Sequence, residues 1–405
     1  MAMTGSELAA LRRERMARAP AILRGGFRPF FLGGAVWAMI ALALWLLALT
    51  QGYEPSSVFS ALAWHRHEML FGFVGAVVSG FLLTAIPNWT GRLPIAGGPL
   101  AALFGLWLAG RIVPLLGLDI GRVLPALLDG GFYLVLAALA AREVIAAGNR
   151  NVPIVLVVAL FGFADLADHA VAAGLIADSA IGVRAAIALI VALISLVGGR
   201  IIPSFTRNWL AKHRPDGAMP GQPTAFDKAV LAATVLTMLG YVVLADSPLL
   251  GWALVAVAAL QAVRLARWQG LRCVADPLVL VLHVGYAWIP IGLGLLGAAM
   301  VGSAVPPSAA IHALTAGAMG TMILAVMTRA TLGHTGRALH ANGWTVAIYA
   351  SVTIGALLRV FASLQMIDYT IGMHSSAVAW GAAFGLFVLA YGPILAGPRN
   401  DGGLT

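Results

Sequence analysis

The sequence predicts an all-α integral membrane protein of about twelve transmembrane helices. The chain of 405 residues is 60% apolar and only 10% charged, and its mean hydropathy is +0.92. Such a composition suits a surface that faces lipid rather than water. Apolar stretches recur at intervals of roughly thirty residues, and each is near the roughly twenty residues that a helix needs to cross the hydrocarbon. Runs such as 35–49 are too long and too evenly apolar for the alternating strands of a membrane barrel.

These apolar stretches divide the chain into predicted spans. They cover residues 28–50, 61–87, 97–117, 123–145, 152–174, 181–202, 226–245, 249–265, 276–300, 308–332, 343–364 and 371–396. The predicted organisation is a basic N-terminal arm over 1–27, helices one to six over 28–202, a proline-rich linker over 203–225, helices seven to twelve over 226–396 and a tail over 397–405.

Basic residues are distributed unevenly between the two sides of the predicted bundle. The arm and the loops on the linker side hold most of the arginines and lysines, whereas the other side holds only Arg66, Arg111, Arg122, Arg184 and Arg359. Because basic loops are retained in the cytoplasm, we expect the arm, the linker and the tail there, in a bacterial inner membrane. This asymmetry accounts for the formal charge of +9, so no nucleic-acid partner is expected.

Short similarities between helix ends favour an internal repeat. The second span ends in 86–90 (IPNWT), the sixth in 202–206 (IPSFT) and the tenth in 328–331 (TRAT). Three four-helix repeats would place these ends at equivalent positions. The alternative is chance, since proline and threonine are common where membrane helices end.

The cysteine content and the missing motifs exclude several classes of protein. Cys273 is the single cysteine, so there is no disulfide framework, and without a Cys-x-x-Cys-His motif any haem is held by side chains alone. No phosphate-binding loop occurs, so ATP-driven chemistry is not expected.

Most of the nine histidines fall inside predicted spans. Five come out near the outer face: His65, His67, His169, His312 and His374. His283 is roughly 9 Å in from the cytoplasmic boundary at 1.5 Å per residue. His213, His334 and His340 fall in loops or at a helix end. Polar groups in lipid mark ion paths or cofactors, and imidazole is the commonest metal ligand, so the five predict a metal or haem site. The alternative for any one of them is a hydrogen-bonded packing residue.

Helical geometry divides these candidates. His65 and His67 are two residues apart, so on a regular helix they point about 200° apart and predict two sites, or one ligand and one bystander. Asp165 and His169 lie one turn apart, which suits a carboxylate that orients an imidazole. Arg66, between the two histidines, is the first choice for binding haem propionates, the alternative being a side chain that reaches to lipid headgroups.

Several motifs in combination are more specific. They are 28–31 (RPFF), 64–69 (WHRHEM), 87–92 (PNWTGR), 198–203 (GGRIIP), and 327–329 (MTR) with 333–337 (GHTGR). Together they resemble the NnrS family of haem- and copper-containing membrane proteins, from residue 24 to residue 395. The resemblance implies non-covalent b-type haem, copper, and a role in nitric oxide metabolism and tolerance of nitrosative stress in denitrifying or host-exposed bacteria.

The resemblance also implies roles for individual side chains. The expected haem or copper ligands are His65, His67, His312 and His374. His169 is a further candidate metal ligand, and His283 a candidate ligand of a separate inner haem. Glu68 is the expected proton carrier in catalysis or a support for the ligands. The reaction would be reduction of nitric oxide or its removal from iron complexes, with an electron donor that the sequence does not name.

A more distant similarity concerns architecture alone. Haem-copper oxidases and nitric oxide reductases also use twelve spans in three four-helix arcs. Here the sixth and seventh spans lack histidines, so the copper ligands of those enzymes have no counterparts in the matching spans.

Two other functions fit the same sequence. Twelve spans in two halves are ordinary for a proton-coupled secondary transporter, which would use Asp129, Asp165 and the histidines. A sensor that binds nitric oxide without turnover is the third hypothesis. An absorption spectrum with metal analysis separates the haem and copper hypothesis from the transporter.

Overall fold

The chain is a multi-pass α-helical membrane protein. The computed structural model describes residues 5–56, 58–116 and 121–403, and within these ranges it contains twelve helices long and apolar enough to cross a membrane. The predicted fold class is therefore confirmed. Residues 1–4 of the predicted arm and 404–405 of the predicted tail lie outside the described residues.

The helices are numbered in chain order. The first, α1, is Gly5–Arg18, within the predicted arm. The twelve spanning helices are α2 Phe27–Gln51, α3 Ala61–Thr90, α4 Gly98–Leu116, α5 Val123–Ala146, α6 Val152–Ala172, α7 Ile181–His213, α8 Ala225–Val243, α9 Pro248–Ala266, α10 Pro277–Met300, α11 Pro307–His334, α12 Gly343–Ser363 and α13 Tyr369–Ala396. Their ends fall close to the predicted ends, except in α7.

Helix α7 is longer than its hydropathy predicts. The sequence placed its end at residue 202, but the helix continues through Pro203 to His213, so the connection to α8 covers only 214–224 of the predicted linker. Proline inside a membrane helix is tolerated where other groups satisfy the freed backbone. Pro203 cannot donate to the Gly199 carbonyl four residues earlier, and in the next turn the Thr206 hydroxyl donates to the Ile202 carbonyl at 2.8 Å.

Two spanning helices change their hydrogen-bond register in the same way. In α3 a π-helical segment covers Glu68–Val74, and in α11 another covers Ala313–Met319. Each is seven residues long and begins directly after a histidine, His67 or His312. Because π-helical segments are rare and occur frequently at functional sites, these two positions single out both histidines.

The chain divides into two compact units. Unit 1 comprises residues up to Ala186 with Ala330–Ala338 and the chain from Val388, and unit 2 comprises Ile187–Arg329 with Leu339–Phe387. The core of unit 1 is rich in aromatic rings. Phe30 and Phe31 are fully buried, and the ring of Phe30 packs against Phe132 at 5.8 Å and Trp107 at 6.3 Å.

Unit 2 has a buried polar network in which every named group has a partner. Arg264 donates to Asp227 at 3.2 Å and to the Tyr286 hydroxyl at 3.0 Å, while Gln261 bridges Ser195 and Tyr286. Asp227 also accepts the Thr224 backbone N–H at the start of α8. Since its charges are compensated inside the network, we interpret it as structural.

Glycines let α9 and α10 of unit 2 approach closely. A Cβ atom added to Gly297 would lie 2.5 Å from the Gly251 carbonyl oxygen, and one added to Gly251 would lie 2.9 Å from the Gly297 carbonyl oxygen. Small residues at a crossing let backbones come into contact, which is how membrane helices associate in a solvent as apolar as their side chains.

We expect Gly297→Ala to destabilise unit 2 by about 1–3 kcal/mol, because the new methyl group would lie 2.5 Å from the Gly251 carbonyl oxygen and push two backbones apart. The measurement is the unfolding midpoint in detergent. Gly294→Ala is the matched control, since its Cβ would meet only the Ala258 methyl at 3.7 Å. Equal midpoints for the two variants would contradict the close crossing.

Candidate metal centre

Charged side chains from four helices of unit 1 meet near the ends at which α3 and α5 begin and α4 and α6 end. All are at most 5% exposed: His67, Glu68, Arg111, Asp129, Asp165, Asp168 and His169. Alternating helix directions bring these ends together, since α3 and α5 run opposite to α4 and α6. The cluster is thus built from non-adjacent parts of the sequence.

His67 is held by carboxylates on both ring nitrogens. Its Nδ1 lies 2.9 Å from Asp168 Oδ2, and its Nε2 lies 2.9 Å from Asp129 Oδ2 and 3.6 Å from Asp165 Oδ1. A carboxylate on one imidazole nitrogen fixes the ring so that the other nitrogen can bind a metal, an arrangement common in metalloproteins. Asp168 can therefore orient His67, and the Nε2 atom faces the other acidic groups.

Asp165 and His169 have polar atoms without hydrogen-bond partners. Both carboxylate oxygens of Asp165 and the Nδ1 of His169 are buried and form no hydrogen bond, and Asp165 is 0% exposed. The Nε2 of His169 lies 3.5 Å from Asp129 Oδ2. One donor atom from each of His67, Asp129, Asp165 and His169 lies within 4.8 Å of all the others. Four such atoms can surround one metal ion.

Arg111 links the other acidic side chains. Its Nη1 donates to Glu68 Oε2 at 2.5 Å, and its Nη2 donates to Asp129 Oδ1. Glu68 also accepts the indole N–H of Trp37 at 2.8 Å. Asp129 therefore connects two groups: one oxygen binds the guanidinium, while the other faces His67 and His169.

Aromatic rings enclose the histidines. The Phe59 ring, from the segment before α3, stacks on His67 with centroids 4.4 Å apart and lies 5.0 Å from His169. On the deeper side, Phe71 lies 5.0 Å from His67 and 5.0 Å from Phe161. Phe59 is 5% exposed, so the rings keep solvent from the cluster.

The cluster has more acid than base. Four carboxyl groups face one guanidinium and two imidazoles, and no other Lys or Arg forms an ion pair with them in the described part of the chain. Uncompensated charge is costly inside a membrane. A bound cation would supply the missing positive charge, and the unpartnered oxygens of Asp165 are available to it.

The three neighbours of His67 with predicted roles lie outside the four-residue group. His65 stacks on Trp45 with centroids 4.5 Å apart and an interplanar angle of 17°. Arg66 is half-buried, and its Nε has no hydrogen-bond partner. Glu68, the predicted proton carrier, is bound by Arg111 and Trp37. The roles predicted for these three side chains stay predictions.

His312 and His374 belong to unit 2 and share a different geometry. The Nδ1 of His312 lies 2.7 Å from the Ser308 carbonyl, and that of His374 lies 2.8 Å from the Thr370 carbonyl, each one turn earlier. An N–H donated to a backbone carbonyl fixes the tautomer and leaves Nε2 with its lone pair. His312 is half-buried and His374 exposed.

His283 is buried in packing contacts of unit 2. Its Nε2 lies 2.9 Å from the Thr206 hydroxyl, which itself donates to a backbone carbonyl, so the ring N–H is the donor between them. A Cβ on Gly270 would lie 2.5 Å from its Nδ1. Cys273, also in unit 2, is buried against Leu210 and Val279, and burial raises the pKa of its thiol. A thiolate ligand at neutral pH is disfavoured there.

The three remaining histidines lie apart from these groups. His213 and His340 are exposed, and His213 stacks on Trp209 with centroids 4.8 Å apart. His334, at the end of α11 in unit 1, packs against Phe27 at 5.5 Å.

Sequence reasoning assigned no site role to Asp168, and Arg111 only a general one at the outer face. The spacing of Asp165, Asp168 and His169 was the available signal, because residues three and four apart share a helix face. Asp129 was a second signal, being a lone acid in an apolar span. Neither the spacing of these residues on α6 nor the presence of Asp129 on α5 indicates which helices pack against each other.

Comparison with known proteins agrees with the motifs. A family model described as NnrS protein matches residues 21–399, nearly the whole chain. No curated protein matches the chain significantly.

We expect Arg111→Met to destabilise the protein by about 3–5 kcal/mol, because it leaves Glu68 and Asp129 buried without their cation. The free energy of unfolding in a detergent and denaturant series is the measurement. Adding Glu68→Gln to this variant should recover part of the loss, since one orphaned charge is removed. Arg150→Gln, at an exposed arginine, is the control; a similar loss there would count against the buried ion pairs.

Proposed function

Because the chain belongs to the NnrS family, we propose that it is a haem- and copper-containing membrane protein that acts on nitric oxide. Family membership confirms the resemblance found in the motifs and points to a function related to nitric oxide. The specific proposal is that the protein binds nitric oxide and reduces or otherwise detoxifies it, which gives tolerance of nitrosative stress linked to denitrification.

The observation that supports this proposal is the buried cluster of unit 1. His67, Asp129, Asp165 and His169 present donor atoms within 4.8 Å of one another, and three donor atoms of Asp165 and His169 have no other partner. Two imidazoles and two carboxylates suit borderline divalent metals, copper(II) and iron(II) among them. Within this set, copper is the proposed metal.

The surrounding residues have separable roles at this centre. Asp168 orients His67, and Arg111 compensates Glu68 and Asp129. Phe59 excludes water and leaves an apolar approach suited to a small uncharged gas. A redox-active metal would supply an open coordination position for nitric oxide and an electron. The electron donor is a further, unidentified partner.

Haem is proposed at His312 and His374, which each hold Nδ1 against a backbone carbonyl. Their Nε2 atoms would bind the iron of a haem held without covalent bonds. Arg359 lies on α12, which packs against the first turns of α11, and a guanidinium suits a propionate. Arg66 and His65 are kept as proposed partners of haem in unit 1, and His283 as that of an inner haem.

We propose the bacterial inner membrane as the location, with the cluster toward the periplasm. The argument is the excess of arginine and lysine on the other side of the spans, which is typical of cytoplasmic loops. Nitric oxide from either side can reach the centre because it dissolves in lipid.

A proton-coupled transporter is the second candidate, and the buried carboxylates favour it. Asp129 and Asp165 inside the membrane are groups that such proteins use. A sensor that binds nitric oxide without turnover shares the proposed cofactors and is distinguished by the absence of catalytic nitric oxide consumption. The transporter is distinguished by its independence of haem and metal.

We expect purified protein from haem- and copper-replete cells to contain a transition metal that is lost in His67→Ala, His169→Ala and Asp165→Asn. Metal analysis measures the loss, and the physical reason is removal of a donor from a four-donor site. His340→Ala, at an exposed loop histidine, should keep the metal. A metal-free wild-type preparation would favour the transporter.

For haem we expect a Soret band in the wild-type spectrum that His312→Gly weakens and that added imidazole restores, because imidazole can occupy the space of the lost ring. His213→Gly is the control and should keep the band. Haem retained in His312→Gly but lost in His374→Gly would move the assignment to α13. A colourless wild-type protein would rule out the haem proposal altogether.

A further inference from the structure

The backbone hydrogen bonds of α3 change register directly after His67. In an α-helix the Gly75 N–H would donate to the Phe71 carbonyl, four residues earlier. In the π-helical segment it donates instead to the Leu70 carbonyl, five residues earlier, and to the Gly72 carbonyl. The Phe71 carbonyl thus loses its usual partner in the membrane interior, where an unsatisfied carbonyl is costly.

Two buried side chains from neighbouring helices donate to this segment. The Tyr133 hydroxyl on α5 donates to the Phe71 carbonyl, and the Trp107 indole N–H on α4 donates to the Gly72 carbonyl at 3.0 Å. Tyr133 is 1% exposed and Trp107 is 2% exposed. The Phe71 and Gly72 carbonyls therefore each accept a hydrogen bond from a side chain of a neighbouring helix.

Each donor lies one helical turn from a member of the charged cluster. On α5, Tyr133 follows Asp129 by four residues, and on α4, Arg111 follows Trp107 by four residues. Residues four apart share a helix face. Tyr133 and Trp107, farther from the helix ends, therefore bind the backbone of α3. Asp129 and Arg111, nearer those ends, belong to the charged cluster.

We propose that Tyr133 and Trp107 are positioning residues of the metal centre, which set the rotation of His67 toward Asp129 by holding the π-helical segment of α3. The proposal rests on the metal centre of the proposed function. A π-helical segment has one residue more than the α-helical turn it replaces. Its conversion to α-helix would rotate His67 by about 100° relative to the rest of α3, away from Asp129.

Glycines in α3 make room for these contacts. A Cβ on Gly75 would collide with the Tyr133 hydroxyl, and a Cβ on Gly72 would collide with Glu68 and lie 2.7 Å from Trp37 Nε1. Gly75 thus admits the hydroxyl that holds the Phe71 carbonyl. The same contact can be broken from either helix, which gives two independent variants for one test.

The test uses cobalt(II) alone as the probe, because its visible absorption reports the geometry and number of its ligands. The full-length wild-type protein in detergent, stripped of metal, should bind cobalt(II) with a four-donor spectrum. Tyr133→Phe keeps every proposed ligand, so we expect binding with a changed spectrum and an affinity about ten-fold weaker, the loss of one buried hydrogen bond. A purely structural role would leave the spectrum of the folded fraction unchanged.

Gly75→Ala should give the same change, and the double variant should be no worse than either single one, because both break one contact. Tyr349→Phe is the matched control, since it removes another buried hydroxyl, 2.6 Å from Thr328 in unit 2. Gly131→Ala controls for the glycine change, as its Cβ would meet nothing within 4 Å. Both controls should keep the wild-type spectrum.

An unchanged spectrum and affinity in Tyr133→Phe would overturn the positioning role while leaving the metal centre intact. If Tyr133→Phe does not fold, Trp107→Phe takes its place, since it keeps an aromatic ring and removes only the indole N–H. An unchanged cobalt(II) spectrum and affinity in Trp107→Phe would then overturn the positioning role. Failure of the wild-type protein to bind cobalt(II) would instead overturn the metal centre, and the positioning role with it.

Discussion

The contact between Arg111 and its two carboxylates is the interaction on which unit 1 depends. A fully buried guanidinium is tolerated in a membrane only with partners, and Glu68 and Asp129 supply them. Because Asp129 divides its two oxygens between Arg111 and the histidines, the ion pair also fixes one wall of the metal centre. Asp165 and Asp168 add acidic groups that form no ion pair with Arg111, so the charge balance of the cluster can accommodate a further cation.

Unit 2 also has a histidine followed by a π-helical segment, but within the described residues no acidic cluster comparable to that of unit 1 surrounds this histidine. His312 precedes its π-helical segment as His67 does, and glycines follow both histidines at the same distances, Gly72 and Gly75 in one helix, Gly317 and Gly320 in the other. The second glycine of each pair lies against an aromatic side chain: Gly75 against Tyr133 and Gly320 against Trp380. This equivalence relates α3 to α11, which are the second and tenth spans. The predicted threefold repeat stays a prediction, and α7, the sixth span, has no π-helical segment.

Hydropathy was enough to predict the fold, because a membrane helix needs only length and apolarity, and eleven of the twelve helices end near their predicted bounds. The exception, α7, shows where that reasoning stops, since its last eleven residues mix polar and apolar side chains and extend past the apolar stretch. The site could be predicted only in part. His67 and His169 were predicted as ligands from their depth in the membrane. Asp129 and Asp168 join them only through contacts between helices, which the sequence does not show. Side-chain directions counted from sequence also assume a regular α-helix, which α3 is not.

The different donors of the two units bear on what each can hold. At His67, two carboxylates and a second imidazole can complete the coordination of a bare ion. At His312, one imidazole stands near Arg359, and within the described residues no comparable group of His, Cys, Asp and Glu surrounds it. A single imidazole suffices only for a metal that brings most of its own ligands, as a haem does. Under the proposed function, the acidic residues therefore favour the bare ion at the cluster of unit 1, and the single imidazoles of His312 and His374 favour a haem in unit 2.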